Sequence, residues 1–172
     1  MAPCLSTTAS FAVPAPADDR DTFVYTFECS VVELLNRIHP HPHMKAVDHR
    51  FLVLAPKDRG ASYVQCAFDG DDRDLMCEAA SGFYDKRGRR AHFSQARRQA
   101  LARLGFSTDG SHGNFQRLFN IRNTDMHREV ADLLLGALFD GYGVRMNETI
   151  EVVAPFALKH GMLSRDRCVP VS

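Results

Sequence analysis

The sequence lacks the residue patterns on which most active sites and metal centres are built. Its 172 residues include no tryptophan, no glycine-rich phosphate loop and no recognisable pair of nucleophile and base. Five cysteines are scattered along the chain without a C-x-x-C pair: Cys4, Cys29, Cys66, Cys77 and Cys168. This spacing is unlike that of a zinc ribbon or a secreted disulfide scaffold. We therefore expect no catalytic residue, no cofactor and no metal.

Net charge and long apolar segments are absent as well. Lys plus Arg and Asp plus Glu number 21 each, so there is no bulk attraction to nucleic acid or anionic lipid. No run approaches the roughly 20 apolar residues that cross a bilayer. The first 19 residues lack a basic segment followed by a continuous apolar one, which argues against a signal peptide. Together with the scattered cysteines, these absences predict a cytoplasmic protein that binds no membrane.

The composition that remains is typical of one globular domain with tails. Hydrophobic residues make up 45% and charged residues 24% of the chain, both near the average for folded proteins. Residues 1–19 are rich in Ala, Pro, Ser and Thr, so we predict a disordered N-terminal tail. We expect a single α+β domain over residues 20–157, followed by an irregular C-terminal tail over residues 158–172.

The first half of the predicted domain holds one short helix and three strands. Residues 23–27 alternate in a β-like manner, and Ser30 with Glu33 forms a capping box that predicts a helix over residues 31–38. Residues 50–55, 62–68 and 74–81 alternate with period two between turn-rich segments, which predicts an antiparallel meander. The second of these strands should present Val64, Cys66 and Phe68 on one face.

The second half is predicted to hold two helices and two more strands. Ser94 can cap a helix that ends at Leu104, with Gly105 closing it in a left-handed conformation. Residues 114–121 alternate as a strand. Apolar residues then recur at helical spacing from Thr124 or Asp125 to about residue 142, and residues 150–153 are expected to add an edge strand.

Five short motifs occur in an order that is similar to that of a known family: Tyr63-Val64-Gln65, Glu78-Ala79-Ala80-Ser81, Leu104-Gly105-Phe106, Asn114-Phe115 and Tyr142-Gly143-Val144. Over residues 63–144 the chain resembles the TY-Chap group of actinobacterial proteins, whose fold is similar to that of type III secretion chaperones. The resemblance implies an antiparallel β-sheet flanked by helices, one of which often forms a homodimer. It also implies a non-catalytic, chaperone-like protein-binding module that holds a polypeptide client.

The last long helix carries the candidate surface for a second copy or a client. Its apolar face is broader than one contact with a sheet requires. The residues that widen it are Leu133, Leu134, Leu135 and Leu138. We expect the helix to serve partly as core and, through these leucines, partly as a dimer or client surface.

An arginine-rich segment, residues 86–103, supports an alternative function in binding nucleic acid or an acidic partner. Its candidate contacts are Arg87, Arg89, Arg90, Arg97 and Arg98. Four aspartates between residues 69 and 74 would weaken the local positive potential, so a solvated helix face is the commoner interpretation of such a pattern.

Three further features have both a structural and a functional interpretation. The run His39-Pro-His-Pro-His43 is favoured as a surface turn over a metal site, because it holds no carboxylate or cysteine. Cys66 and Cys77 are expected to pack in the core as free thiols. Glu78 is expected to face solvent or form an ion pair. The second alternative is a small enzyme with an unrecognised site around Glu78, His92 and His112.

Overall fold

A computed structural model describes residues 19–39, 50–68, 73–84, 93–155 and 157–165. In chain order the elements are α1 (Arg20–Ile38), β1 (Phe51–Pro56), β2 (Val64–Phe68), β3 (Asp74–Ala79), α2 (Gln95–Arg103), β4 (Phe115–Asn120), α3 (Met126–Gly136), β5 (Ile150–Ala154) and β6 (Leu158–Met162). A single π-helical turn, Ala137–Gly141, continues α3. Among the described helices, none has both the length and the apolar character of a membrane span.

The six strands form one antiparallel sheet in the order β4-β3-β2-β1-β5-β6. This confirms the predicted α+β class and the predicted meander of β1, β2 and β3. Burial alternates along the strands, as a half-covered sheet requires: Leu52 and Leu54 are buried in β1, while Val64, Cys66 and Phe68 are buried in β2. The sheet therefore has one covered face, packed under the helices, and one half-exposed face.

Helix α1 is longer than the sequence predicts. It begins at Arg20, where the carboxylate of Asp19 accepts a hydrogen bond of 2.7 Å from the backbone N–H of Thr22. The stretch predicted as β-like is helical, because Phe23 and Phe27 stand one turn apart on the buried side of α1. Ser30 is not the cap; its hydroxyl donates to the backbone carbonyl of Ser164.

The predicted end of α2 and the long apolar helix are both confirmed. The Ser94 hydroxyl accepts from the N–H of Arg97, and Gly105 has φ +86, as a left-handed helix end requires. The turn Ala137–Gly141 delivers Tyr142 into the core, where its hydroxyl donates to the carbonyl of Ala80 at 2.7 Å. Burial, and then the neighbouring Tyr63, raise the pKa of Tyr142 well above its ordinary value.

Two predictions about the end of the chain are wrong. β5 is not an edge strand, because it pairs with β1 on one side and with β6 on the other. The segment predicted as an irregular tail over residues 158–172 contains β6, which pairs with β5 opposite Val152 and Glu151. The predicted tail over residues 1–19 lies, apart from Asp19, outside the described residues.

The expectation for two of the cysteines is half right. Cys66 and Cys77 are fully buried on the covered face, as predicted. They are not free thiols, since they stand directly opposite each other in β2 and β3 and form a disulfide across Cα atoms 4.0 Å apart. Cys29 is disulfide-bonded as well.

Candidate functional site

The half-exposed side of the sheet, called the open face below, is built from the strand positions that alternate with the core. Its residues in β1 to β5 are Phe51, Val53, Ala55, Gln65, Ala67, Asp74, Met76, Glu78, Gln116, Leu118, Asn120, Glu151 and Val153. Strand register brings them into rows that run across the sheet, because residues paired in adjacent strands share a face.

One of these rows is entirely apolar. Leu118 is paired with Met76, Met76 with Ala67 and Ala67 with Phe51, so the row crosses four strands. With strands about 4.8 Å apart, its length is about 14 Å. The Leu118 side chain is 58% exposed and is among the large hydrophobic residues that face solvent. The apolar row therefore offers contact area for another chain without any rearrangement of the core.

The neighbouring row is polar and lies two residues further along each strand. Gln116 pairs with Glu78, and Glu78 with Gln65. The Nε2 of Gln65 donates to Oε2 of Glu78 at 2.5 Å, and the Nε2 of Gln116 donates to Oε1 at 2.9 Å. Two amides thus hold the carboxylate in one orientation across three strands. Glu78 is expected from the sequence to face solvent or to pair with an arginine; it lies half-buried on the open face, where two amides hold it.

Among the described residues, the outer edge of β4 is paired over only part of its length. The backbone carbonyl of Gln116 accepts from the N–H of Ser107 at 2.7 Å, which covers the edge at that residue. Since backbone groups alternate in direction along a strand, those of Leu118 and Asn120 also point away from β3. The amide of Asn120 donates through its Nδ2 to Oδ1 of Asp74 at 2.8 Å, on the open face.

The four leucines predicted as a dimer or client surface lie in the core instead. Leu133 is 2% exposed, and Leu134, Leu135 and Leu138 are fully buried. Helix α1 packs along α3 and covers this side of it, so the broad apolar face is filled within a single chain. The prediction that these leucines form a surface is wrong.

Part of the predicted arginine cluster is exposed on α2. Arg97 and Arg98 both face solvent, and Arg98 lines a groove of about 500 Å³ together with Gln95 and Gln99. Arg87, Arg89 and Arg90 lie outside the described residues.

The first histidine of the His-Pro run contacts a histidine that the sequence interpretation missed. His127 is fully buried at the start of α3, and its Nδ1 donates to Oδ1 of Asn36 at 2.7 Å. Its Nε2 then accepts from Nδ1 of His39 at 3.2 Å. Burial, and then the charge of His39, lower the pKa of His127 to about 4. The spacing of His127, Val130 and Leu134 along the buried stripe is the signal that could have revealed it.

Those residues of the metal and enzyme alternatives that the structure describes are not assembled into one site. The described His, Cys, Asp and Glu residues form no group of three that could hold a metal ion, while His41 and His43 lie outside the described residues. Glu78 contacts two glutamines, whereas His112 is exposed in the loop before β4, near Asp109. His92 lies outside the described residues.

Comparison with known proteins gives one match. The model of a family described as "T3SS (YopN, CesT) and YbjN peptide-binding chaperone 3", or TY-Chap3, matches residues 34–155. No curated protein and no solved structure matches the chain. The matched residues begin near the end of α1 and extend just past β5, so they include all the strands that form the open face.

Proposed function

The chain belongs to the TY-Chap3 family of peptide-binding chaperones, and we propose that it is a non-catalytic module that holds a segment of a client polypeptide on the open face. The observation that carries this proposal is the apolar row of Leu118, Met76, Ala67 and Phe51 beside an open strand edge. A client can bury apolar side chains on the row and pair its backbone with the edge.

The two kinds of contact have separate roles in this proposal. Apolar area removed from water contributes about 25 cal/mol per Å², so one leucine-sized contact contributes about 2 kcal/mol. Backbone pairing at Leu118 and Asn120 requires an extended client but does not depend on the identity of the client's side chains. The module would therefore accept many sequences that can lie extended.

Homodimerisation remains part of the proposal, with a changed interface. Because Leu133, Leu134, Leu135 and Leu138 are buried within one chain, a second copy must use another surface. The molar mass at micromolar concentration, measured by light scattering, tests the dimer directly. A monomeric mass would contradict it without affecting client binding on the open face.

Binding of nucleic acid or of an acidic partner stays a prediction, because Arg97 and Arg98 of α2 are exposed. Binding to an oligonucleotide would weaken steeply with added salt, whereas apolar capture of a peptide would not.

Cytoplasmic localisation likewise remains a prediction, and the Cys66–Cys77 disulfide weighs against it, since reducing compartments rarely preserve disulfides. The thiol content of protein taken directly from cells, measured by alkylation, distinguishes the compartments.

The proposal is tested by replacing the most exposed residue of the apolar row. Leu118→Ser should weaken binding to an array of synthetic ten-residue peptides about tenfold, because about 1.4 kcal/mol of apolar contact is lost. Tyr25→Ser is the matched control, since Tyr25 lies on α1 with 54% of its surface exposed. Unchanged binding in Leu118→Ser, or equal losses in both variants, would contradict the proposed site.

A further inference from the structure

Several carboxylates outside the open face are paired with arginines. Arg20 contacts both Asp132 and Asp140, at 2.9 and 3.2 Å. Three other pairs are Arg59 with Glu148, Arg117 with Glu129 and Arg128 with Glu28. In each of these pairs, the charge of the carboxylate is neutralised by an arginine of the same chain.

The carboxylates of the open face have different partners. Within the described residues, Asp74, Glu78 and Glu151 form no ion pair. Glu78 and Asp74 are held by neutral amides, which orient a carboxylate without removing its charge. Each carboxylate oxygen can accept two hydrogen bonds, and Gln65 and Gln116 use one on each oxygen of Glu78. The carboxylate is therefore fixed in position and retains capacity for a further donor.

The strands β1 to β5 place no positive charge on the same face. Among the described residues of β1 to β5, Arg117 is the only Lys or Arg. It lies on the covered face, opposite Cys77, where its guanidinium packs over the ring of Phe119 and bonds the Leu104 carbonyl. The open face thus combines an apolar row with three carboxylates that no cation of these strands reaches.

We infer that the open face selects client segments in which a lysine or arginine alternates with apolar residues. This inference rests on the proposed function and specifies its client. The apolar row and the row of Glu78 lie two residues apart along the strands, about 7 Å. An extended client has the same spacing between residues i and i+2, so one apolar side chain and one cation on the same side can reach both rows. Charge complementarity identifies the occupant as a basic, apolar strand.

Three labelled peptides of ten residues test this chemistry on the full chain. Each alternates Thr on one side with Val and a variable residue on the other, and the variable residue is Lys, Gln or Glu. Fluorescence anisotropy should give the tightest binding for the Lys peptide and the weakest for the Glu peptide. Glu78→Gln should weaken binding of the Lys peptide on the order of tenfold, because a charge-assisted hydrogen bond is lost, and leave the Gln peptide unchanged.

Two further variants separate charge recognition from folding. Glu33→Gln makes the same chemical change on α1, where Glu33 pairs with Arg37, and should leave all three affinities unchanged. Glu151→Gln removes a second charge from the open face; this exposed side chain makes no hydrogen bond or ion pair among the described residues, so the fold does not depend on it. It should weaken binding of the Lys peptide far less than Glu78→Gln does, because β5 lies four strands, about 19 Å, from β4 and exposed charges are screened beyond about 8 Å.

The outcomes distinguish the inference from the proposed function. Equal affinities for the three peptides, all weakened by Leu118→Ser, would overturn charge selection and leave peptide binding intact. No binding of any peptide would overturn both. Tighter binding of the Lys peptide after replacement of Lys86, Arg87, Arg89 and Arg90 by Gln would identify the chain's own basic segment as the occupant and overturn the inference. So would a doubling of mass that the Lys peptide reverses, since a second copy would then occupy the face.

Discussion

The covered and open faces of the sheet are made by the same strands but differ in how far their side chains are buried and in the partners that hold their charged groups. On the covered face, the large apolar residues pack to nearly zero exposure, and outside the open face Arg20 and Arg59 pair with Asp132 and Glu148. On the open face, Leu118 stays 58% exposed and Glu78 is held only by amides. The fold therefore satisfies one side of its sheet internally and leaves the other with apolar and charged groups that need a partner.

A matched pair of leucine truncations gives the largest expected difference between the faces. Leu135→Ala on the covered side should cost about 2 to 5 kcal/mol of unfolding free energy, because the fully buried side chain leaves a cavity. Leu118→Ala on the open face should cost less than about 0.5 kcal/mol. Urea denaturation measures both values. Similar losses in the two variants would mean that another part of the molecule covers Leu118.

The buried His127 is expected to make the free energy of unfolding depend on pH. The pKa of His127 is about 4 in the fold against an ordinary value of 6.5, so between these pH values the unfolded chain binds a proton that the native chain does not. The free energy of unfolding should therefore fall by about 3 kcal/mol as the pH drops from about 6.5 to about 4. His127→Gln should show a shallower decrease in urea denaturation at matched pH. Identical pH slopes for the two proteins would remove His127 from this role.

Reduction of the Cys66–Cys77 disulfide is expected to change the free energy of unfolding somewhat less, and it tests whether the open face depends on a crosslink on the covered face. Cys66 and Cys77 lie on the covered side, but their strand neighbours Gln65, Glu78, Ala67 and Met76 belong to the open face. Reduction should lower the free energy of unfolding by about 2 to 3 kcal/mol, because the crosslink closes a short loop. Peptide affinity should stay unchanged while the sheet remains folded. Loss of binding in reduced but folded protein would show that the open face depends on the crosslink.

Much of the sheet could be predicted, because strand alternation is a local property. Val64, Cys66 and Phe68 share a face as their spacing indicates, and β1, β2 and β3 pair in chain order as a meander. The row of Leu118, Met76, Ala67 and Phe51 could not be predicted. It depends on the register of four strands, which is set by contacts between segments far apart in sequence.

One local error explains the wrong interpretation of the leucines in α3. Phe23 and Phe27 fit a helical i, i+4 spacing as well as a β-like alternation, and in the structure they lie in α1. The leucines Leu133, Leu134, Leu135 and Leu138 are predicted as a surface because the apolar face of α3 is broader than one contact with a sheet requires. The full length of α1 packs along α3, so the face has a second partner within the chain. In the structure the ring of Phe23 lies 5.4 Å from that of Phe139, beside the same helix. A sequence interpretation that lacks the first half of α1 therefore takes these core leucines for an interface.

The single bridge from Ser107 to Gln116 has a consequence for self-association. An exposed strand edge is a template on which identical chains can stack into fibrils. Here the bridge occupies the edge at Gln116 and leaves outward backbone groups at Leu118 and Asn120. An added strand can pair over only a few residues there, which is too short to propagate a growing sheet. At β4, the loop residue Ser107 thus limits the length over which a strand of another copy can pair with this edge.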